Sequence, residues 1–302
     1  MFYGQAEGTG FEVLDPRFEA CFPGHARVDR LWTGARWLEG PAWFPAGRYL
    51  IFSDIPNNRM LRLDETDNSV SVFRSPSNNS NGNTVDREGR LVSCEHLARR
   101  VTRTEHDGSI TVLADRFEGK RFNSPNDVVV KRDGSIWFTD PDYGIMTDYE
   151  GDAAASEIGA CHVYRIGTDG HINQVTGDFD KPNGLAFSPD EKQLYIVDSG
   201  KPKHMRRFAV GADGKLSGGE VFATATVGIF DGFRLDTRGR IWTSAGDGVH
   251  CFDPDGTLIG KITIPELVAN VTFGGAKRNR LFICGTTSIY AAYTTARGIS
   301  LP

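Results

Sequence analysis

The chain has 302 residues, 39% of them hydrophobic and 24% charged, and its 34 basic and 39 acidic side chains give a formal net charge of −5. This composition is ordinary for a globular protein. The acidic charge and the lack of long Lys/Arg blocks exclude a nucleic-acid-binding surface or a polybasic membrane patch. We therefore expect a small-molecule partner, with no nucleic acid and no membrane involved.

The N-terminal sequence and the cysteines bear on the cellular compartment of the protein and on the state of its thiols. No stretch approaches the roughly 18 apolar residues of a membrane helix, and the start MFYGQAEGTGFEVLD has no basic segment followed by an apolar one. We expect a cytoplasmic protein, whereas a periplasmic one would require a processed N-terminus. The cysteines form no CxxC pair, which predicts reduced, mostly buried thiols rather than a disulfide framework or a thiolate zinc site. They are Cys21, Cys94, Cys161, Cys251 and Cys284.

Short apolar runs separated by turn residues dominate the chain, and long patterns of helical period are absent, which predicts an all-β fold. Six of these runs align without gaps and begin at positions 50, 91, 136, 194, 241 and 281, so they lie 40 to 58 residues apart. That spacing is typical of propeller blades. The runs LIFSD, LVSCE, IWFTD, LYIVD, IWTSA and LFICG therefore predict a six-bladed β-propeller.

A column of polar residues precedes each run by ten or eleven positions. Each member opens another apolar run, and a tight turn joins the two runs into an antiparallel hairpin. A further hairpin follows in most units, which gives four antiparallel strands per blade. The column consists of Glu39-Gly40, Asn81-Gly82, Asn126-Asp127, Asn183-Gly184, Asp231-Gly232 and Asn270-Val271.

The last unit is one strand short, and the N-terminal VDRLW (28–32) stands at the interval of a fourth strand. We expect this N-terminal strand to complete the sixth blade and close the ring, because closure covers both open edges. Residues 1–302 then form a single propeller domain. Within it, about 1–27 are an N-terminal extension and 149–159 are the main insertion.

The first strand of a propeller blade is the innermost one, so the polar column is expected to ring one mouth of the central channel. All six members carry oxygen donors, the ligands of a hard cation, Ca²⁺ before Mg²⁺ or Mn²⁺. The predicted metal ligands are Glu39, Asn126, Asn183 and Asp231. A competing interpretation is that Asn-Gly and Asp-Gly dipeptides are turn residues that tolerate positive φ.

The second strand of each blade ends on the same face, which brings Glu95, His96 and Tyr143 to this mouth. Several aspartates accompany them, and these either line the mouth or cap loops: Asp54, Asp140, Asp142, Asp198 and Asp247. The sequence contains no GxSxG elbow, HExxH, P-loop or GxGxxG. A metal at the channel is the best remaining source of chemistry.

At these residues the sequence resembles the gluconolactonase, regucalcin (senescence marker protein) and luciferin-regenerating-enzyme family of six-bladed propellers. The carrying segments are WLEGPAWFP (37–45), GNTVDREGRLVSCEH (82–96), FNSPNDVVVKRDGSIWFTDPDYG (122–144), KPNGLAFSPDEKQLYIVDSG (181–200) and FDGFRLDTRGRIW (230–242). The CEH and TDPDYG segments look most like the bacterial gluconolactonase branch. The resemblance implies one divalent cation held by Glu39, Asn183 and Asp231, with Asn126 as a further ligand or sugar contact. Animal members carry an Arg that contacts the sugar where this chain has Ser124.

The resemblance implies hydrolysis of an aldonolactone, such as glucono-1,5-lactone, to the open acid. Ca²⁺ is the first choice of cation, with Zn²⁺, Mn²⁺ or Mg²⁺ as alternatives, and it would act as a Lewis acid on the lactone carbonyl. We predict Asp231 as the general base or, in a variant mechanism, the nucleophile. His96 is predicted either to donate a proton to the leaving alkoxide or to hydrogen-bond to the sugar hydroxyls. The predicted substrate contacts are Asn126, Asp127, Asn81, Tyr143 and Glu95.

Two other functions remain open at this stage. The same set of residues would serve an organophosphate or aryl-ester hydrolase, although the Asn- and Asp-rich mouth favours a sugar. A non-catalytic calcium-binding propeller is the other possibility. Because a closed ring needs no partner for stability, we expect a monomer, with a homodimer as the alternative.

Overall fold

Antiparallel strands account for most of residues 6–299, which are the part of the chain that this computed structural model describes. Within this range there are 27 β-strands and two four-residue helices, α1 (Pro16–Glu19) and α2 (Tyr143–Met146). No helix in these residues is long and apolar enough to cross a membrane. The predicted all-β class is confirmed.

The first three blades are antiparallel sheets whose strands follow one another in chain order. A small extra hairpin of β11 (Arg116–Phe117) and β12 (Lys120–Arg121) separates blades two and three. Blade one consists of β3 (Leu38–Phe44), β4 (Tyr49–Asp54), β5 (Arg59–Asp64) and β6 (Val70–Arg74). Blade two consists of β7 (Ser80–Val85), β8 (Leu91–Glu95), β9 (Arg100–Thr104) and β10 (Ile110–Ala114). Blade three consists of β13 (Val128–Val130), β14 (Ile136–Asp140), β15 (Cys161–Ile166) and β16 (Ile172–Phe179).

The last three blades repeat this pattern, and the sixth borrows its outer strand from the N-terminal part of the chain. Blade four consists of β17 (Pro182–Phe187), β18 (Gln193–Asp198), β19 (His204–Val210) and β20 (Leu216–Thr224). Blade five consists of β21 (Phe233–Leu235), β22 (Ile241–Ala245), β23 (Gly248–Phe252) and β24 (Leu258–Thr263), with β1 (Gly10–Val13) at its outer edge. Blade six consists of β25 (Val268–Gly274), β26 (Arg280–Gly285), β27 (Ser288–Tyr293) and β2 (Val28–Thr33).

The ring around the axis is built by the first strand of every blade. Each of these six inner strands contacts the next, and β25 of blade six contacts β3 of blade one. The predicted six-bladed propeller with four antiparallel strands per blade is therefore confirmed.

The N-terminal part of the chain closes this ring as predicted. In blade six, β2 pairs with β27, and Val28 lies opposite Ala292. Earlier in the chain, β1 adds a fifth strand to blade five by pairing with β24, so that Gly10 lies opposite Thr263. The segment after β1 packs on the same blade, because Phe18 of α1 is fully buried in one cluster with Trp242. This fifth strand was not predicted, and residues 1–5 of the predicted extension lie outside the described residues.

Local sequence explains the hairpins and the stacking of blades. In the turn between β13 and β14, Asp133 Oδ1 accepts the Ser135 N–H at 2.9 Å, and Gly134 takes a left-handed φ of 87°. Large aromatic side chains fill the space between blades. For example, Trp43 of blade one stacks on Phe282 of blade six with ring centroids 5.5 Å apart.

The far end of the central channel is crossed by the C-terminal segment. The Ile299 N–H donates to the carbonyl of Leu235, where β21 ends, at 3.3 Å, and the Gly298 N–H donates to the carbonyl of Arg278 at 2.8 Å. The polar column lies at the opposite end, where the inner strands begin.

Candidate active site

The polar column lies at the start of the inner strands, as its spacing predicted. Glu39, Asn81, Asn183 and Asn270 lie inside β3, β7, β17 and β25, while Asn126 and Asp231 lie two positions before the first residues of β13 and β21. In blades one, two, four and six the pairing of the inner strand shifts register next to the column residue. Such bulges redirect side chains, and they are common near active sites.

The glycines after the column residues allow the inner strands to approach one another closely. A Cβ at Gly82 would overlap the carbonyl oxygen of Asn126, and a Cβ at Gly184 would overlap that of Asp231. Among the four glycines of the column, only Gly40 has a positive φ, of 54°. The Asn-Gly and Asp-Gly dipeptides of the column are therefore packing positions at the axis and not turn residues with a positive φ, so the competing interpretation is wrong for them.

We expect Gly82→Ala to lower the free energy of unfolding by about 3 kcal/mol, because the new methyl group has no space beside Asn126. Gly24→Ala is the matched control, since a Cβ there meets no atom within 4 Å. Urea unfolding of both variants provides the measurement. Equal stability of the two variants would contradict the close-approach explanation.

Two carboxylates face the axis, one from blade one and one from blade five. Glu39 is 3% exposed, and its Oε2 accepts the Gly40 N–H at 2.7 Å and the Asn270 Nδ2–H at 2.9 Å. Burial, together with the negative charges of Asp127 and Glu150, raises the pKa of Glu39 to about 8.

Asp231 is the second axial carboxylate. Its backbone N–H donates to Ser244 Oγ at 2.8 Å, and its carboxylate accepts a hydrogen bond from the Asn183 side chain. Desolvation between the inner strands raises the pKa of Asp231 well above its usual range, and the charge of Glu39 raises it further. The two axial carboxylates therefore repel each other in the absence of a cation.

The donor set fits a hard divalent cation. Two carboxylates that disfavour each other's ionisation would be stabilised by a positive ion between them, and amide oxygens of Asn183 and Asn126 lie in the same ring of residues. Asn81 Oδ1 is buried, and no group within residues 6–299 hydrogen-bonds to it. No group of three or more His, Cys, Asp and Glu suited to a metal occurs in residues 6–299, so amide ligands have to complete any such site.

The contacts of His96 change its predicted role. Its Nδ1 lies 3.3 Å from the carbonyl oxygen of Glu150 and must be the donor, so Nε2 accepts the Asn81 Nδ2–H at 3.2 Å. Burial lowers the pKa of His96 to about 4, so the ring is neutral near pH 7. Both nitrogens are occupied, and His96 is better described as a positioning residue than as a proton donor. It orients the Asn81 amide so that its unpaired Oδ1 is fixed.

Two predicted substrate contacts are engaged in other interactions. The Glu95 carboxylate accepts the Arg100 Nε–H at 2.7 Å and the Thr102 hydroxyl at 3.0 Å, so it stabilises blade two and is not retained as a substrate contact. Asp127 is 1% exposed, and its Oδ2 lies 3.5 Å from Arg234 NH1 of blade five. This ion pair joins blades three and five beneath the column.

Tyr143 and Asn126 remain near the axis. Tyr143, at the start of α2, hydrogen-bonds to Ser199, and burial together with the charge of Asp231 raises its pKa. Asn126 is 4% exposed, and its backbone is fixed between Gly82 and Thr139. The neighbouring Ser124 donates to the carbonyl of Pro141 at 2.7 Å and accepts the Gly144 N–H at 2.9 Å. It therefore binds the segment above the column instead of reaching the axis.

Most aspartates at the ends of the second strands cap loops. Asp140 accepts the backbone N–H groups of Asn123 and Ser124, and Asp198 accepts those of Asp180 and Lys181, all at 2.8 to 2.9 Å. Asp54 does the same for the loop before β3. These residues fix the entry into each inner strand and thereby the position of the column.

Residues 37–288 match the profile of the family described as the SMP-30/Gluconolactonase/LRE-like region. The chain belongs to this family. The family region contains the whole polar column, from Glu39 to Asn270, and ends inside β27.

Family members with assigned names resemble the chain over most of its length. A gluconolactonase of Zymomonas mobilis is 30% identical over 94% of this chain and 86% of its own length. The pentonolactonase XacC of Haloferax volcanii is 29% identical over 83% of this chain and 82% of its own. The solved structure of a gluconolactonase from Xanthomonas campestris superposes with a TM-score of 0.89 at 40% identity, covering 94% of both chains.

Proposed function

We propose that this protein is an enzyme that hydrolyses a sugar lactone, such as glucono-1,5-lactone, to the open-chain acid. The observation that carries the proposal is the pair of axial carboxylates, Glu39 and Asp231, set among amide side chains at one end of the channel. Relatives named gluconolactonase and pentonolactonase support a lactone of an aldonic acid as the substrate.

We propose a divalent cation, Ca²⁺ before Zn²⁺, Mn²⁺ or Mg²⁺, as the cofactor. Glu39, Asn183 and Asp231 would hold it, with Asn126 as a further oxygen donor. When bound, the cation supplies a Lewis acid that polarises the lactone carbonyl and stabilises the oxyanion formed there.

Asp231 acts as the general base in this mechanism. Its carboxylate takes a proton from water while the water oxygen bonds to the carbonyl carbon of the lactone. The bond from that carbon to the ring oxygen then breaks, and Asp231 returns the proton to the ring oxygen. The carboxylate acts as a base in its ionised form, which a bound cation would favour. Ser244 and Asn183 fix the position of Asp231.

Neighbouring side chains bind the sugar in this proposal. The unpaired Oδ1 of Asn81 accepts a hydrogen bond from a hydroxyl group of the sugar, and His96 holds that amide in place. Tyr143, close enough to Asp231 for its pKa to be affected by that charge, is a second contact. Such prearranged polar groups lower the barrier because they need no rearrangement during the reaction.

The test is acid release from glucono-1,5-lactone, followed with a pH indicator after the protein has been stripped with a chelator and given Ca²⁺, Zn²⁺, Mn²⁺ or Mg²⁺ in turn. We expect release above the spontaneous rate, loss of activity on stripping, and recovery with one of these cations. Activity that survives stripping would contradict the cofactor proposal. No release with any cation, from protein that binds one tightly, would favour a calcium-binding role instead.

A further inference from the structure

The segment between β14 and β15, residues 141–160, covers the column at the mouth of the channel. It begins with α2 and is closed on itself: the Ala154 N–H donates to the carbonyl of Ile145 at 3.0 Å, and the Ala153 N–H to Asp148 Oδ1 at 2.8 Å. We refer to residues 141–160 as the cover segment.

Two glycines allow the cover segment to pack closely against the site. A Cβ at Gly144 would lie 2.6 Å from the Cβ of His96 and 2.8 Å from that of Ser124, and a Cβ at Gly151 would overlap the carbonyl oxygen of Gly144. Both approaches are possible only without a side chain. The position of Glu150, next to Gly151, is therefore fixed by backbone packing.

Glu150 is the acidic side chain that this packing brings to the mouth. Its carbonyl oxygen accepts the His96 Nδ1–H, and its Oε2 lies 3.9 Å from the same nitrogen. The side chain is 24% exposed, and no lysine or arginine of the described residues pairs with it. His96, which Glu150 contacts, hydrogen-bonds in turn to Asn81 of the column at 3.2 Å, and the charge of Glu150 also acts on Glu39 and Asp231, so Glu150 lies near the axial site.

A carboxylate in this position has a specific chemical use. Within residues 6–299 it is an acceptor with no protein donor of its own apart from neutral His96, whose Nδ1 lies 3.9 Å away. Hydroxyl groups of a bound sugar are the donors that suit it, since hydrogen bonds to a charged acceptor are stronger than neutral ones. The mechanism described above does not employ it.

We infer that the Glu150 carboxylate determines specificity by accepting hydrogen bonds from the hydroxyl groups of the lactone. It selects polyhydroxylated lactones over unsubstituted ones, because only a lactone with hydroxyl groups gains hydrogen bonds to the carboxylate. This inference rests on the proposed lactone hydrolysis and names its substrate class.

The experiment compares kcat/KM for glucono-1,5-lactone and for δ-valerolactone, which has the same ring without hydroxyls. For Glu150→Gln and Glu150→Ala we expect a roughly 10- to 100-fold decrease with the sugar lactone, mainly through KM, and a change within about twofold with δ-valerolactone. Asp152→Asn is the matched control, since it removes one exposed carboxylate two residues away in the same segment. It should change neither value.

The outcomes separate this inference from the proposed function. Wild-type protein that opens neither lactone would overturn both. Wild-type protein that opens the sugar lactone, with variants that retain its selectivity or lose both substrates equally, would overturn only the role of Glu150. If the wild type opens the sugar lactone and ignores δ-valerolactone, a rise in KM at constant kcat supports the role, and a fall in kcat alone overturns it.

Discussion

Replacing Asp231 with Asn is expected to lower kcat for lactone hydrolysis by at least about 10³-fold. The amide retains the shape of the side chain and an oxygen donor, but it has no affinity for the proton of the attacking water. The measurement is the initial rate of acid release from glucono-1,5-lactone at saturating substrate, corrected for spontaneous opening. Turnover within tenfold of the wild type would remove Asp231 from the role of base.

The same variant should not be less stable than the wild type. Asp231 ionises against the charges of Glu39, Asp127 and Glu150, so neutralising it removes repulsion from the cation-free protein. We expect an unchanged or higher unfolding midpoint in the presence of chelator. This result would show that the loss of activity comes from lost chemistry and not from misfolding.

Glu39→Gln is expected to flatten the pH dependence of stability in chelator-treated protein. The pKa of Glu39 rises from 4.5 in the unfolded chain to about 8 in the folded protein, so the folded state binds the proton more tightly. The contribution of Glu39 to the free energy of unfolding is fully present below pH 4.5 and is lost as the pH rises through 8. From pH 6.5 to 8 the wild type should lose about 2 kcal/mol through Glu39, at roughly 1.4 kcal/mol per pH unit.

The window from pH 6.5 to 8 separates Glu39 from the buried histidine at the site. His96 has its pKa lowered from 6.5 in the unfolded chain to about 4, so its contribution rises slightly with pH just above 6.5, opposite in sign to that of Glu39, and it is present in both the wild type and Glu39→Gln. Urea unfolding at pH 6.5, 7.25 and 8 gives the slope, with Glu118→Gln as the exposed control. An identical slope in Glu39→Gln and wild type would contradict the raised pKa.

The blades and the axial column follow directly from sequence because both depend on a repeat. Six apolar runs aligned without gaps, and the same register placed Glu39, Asn183 and Asp231 at the start of inner strands, where the structure has them. Closure by β2 was equally predictable, since the last unit lacked one strand.

The partners of individual side chains were harder to predict from the sequence, because they come from neighbouring strands and blades. Glu95 occupies the same place in its run as Asp140 and Asp198, yet Arg100 and Thr102 on the next strand bind its carboxylate. Arg234 reaches an aspartate of another blade, a pairing that no single repeat contains. Glu150 lies in an insertion without register, and only its glycine neighbours hinted at close packing.

The hydrogen bond from Asn270 to Glu39 has a consequence for how the protein becomes functional during synthesis. It joins two residues 231 positions apart, one in the first inner strand to leave the ribosome and the other in the last. The blade that carries Asn270 is completed by β2, which is translated before the inner strand of every blade. A nascent chain that has made five blades therefore holds an open ring and an incomplete site, so we expect catalytic competence to appear only with the final blade.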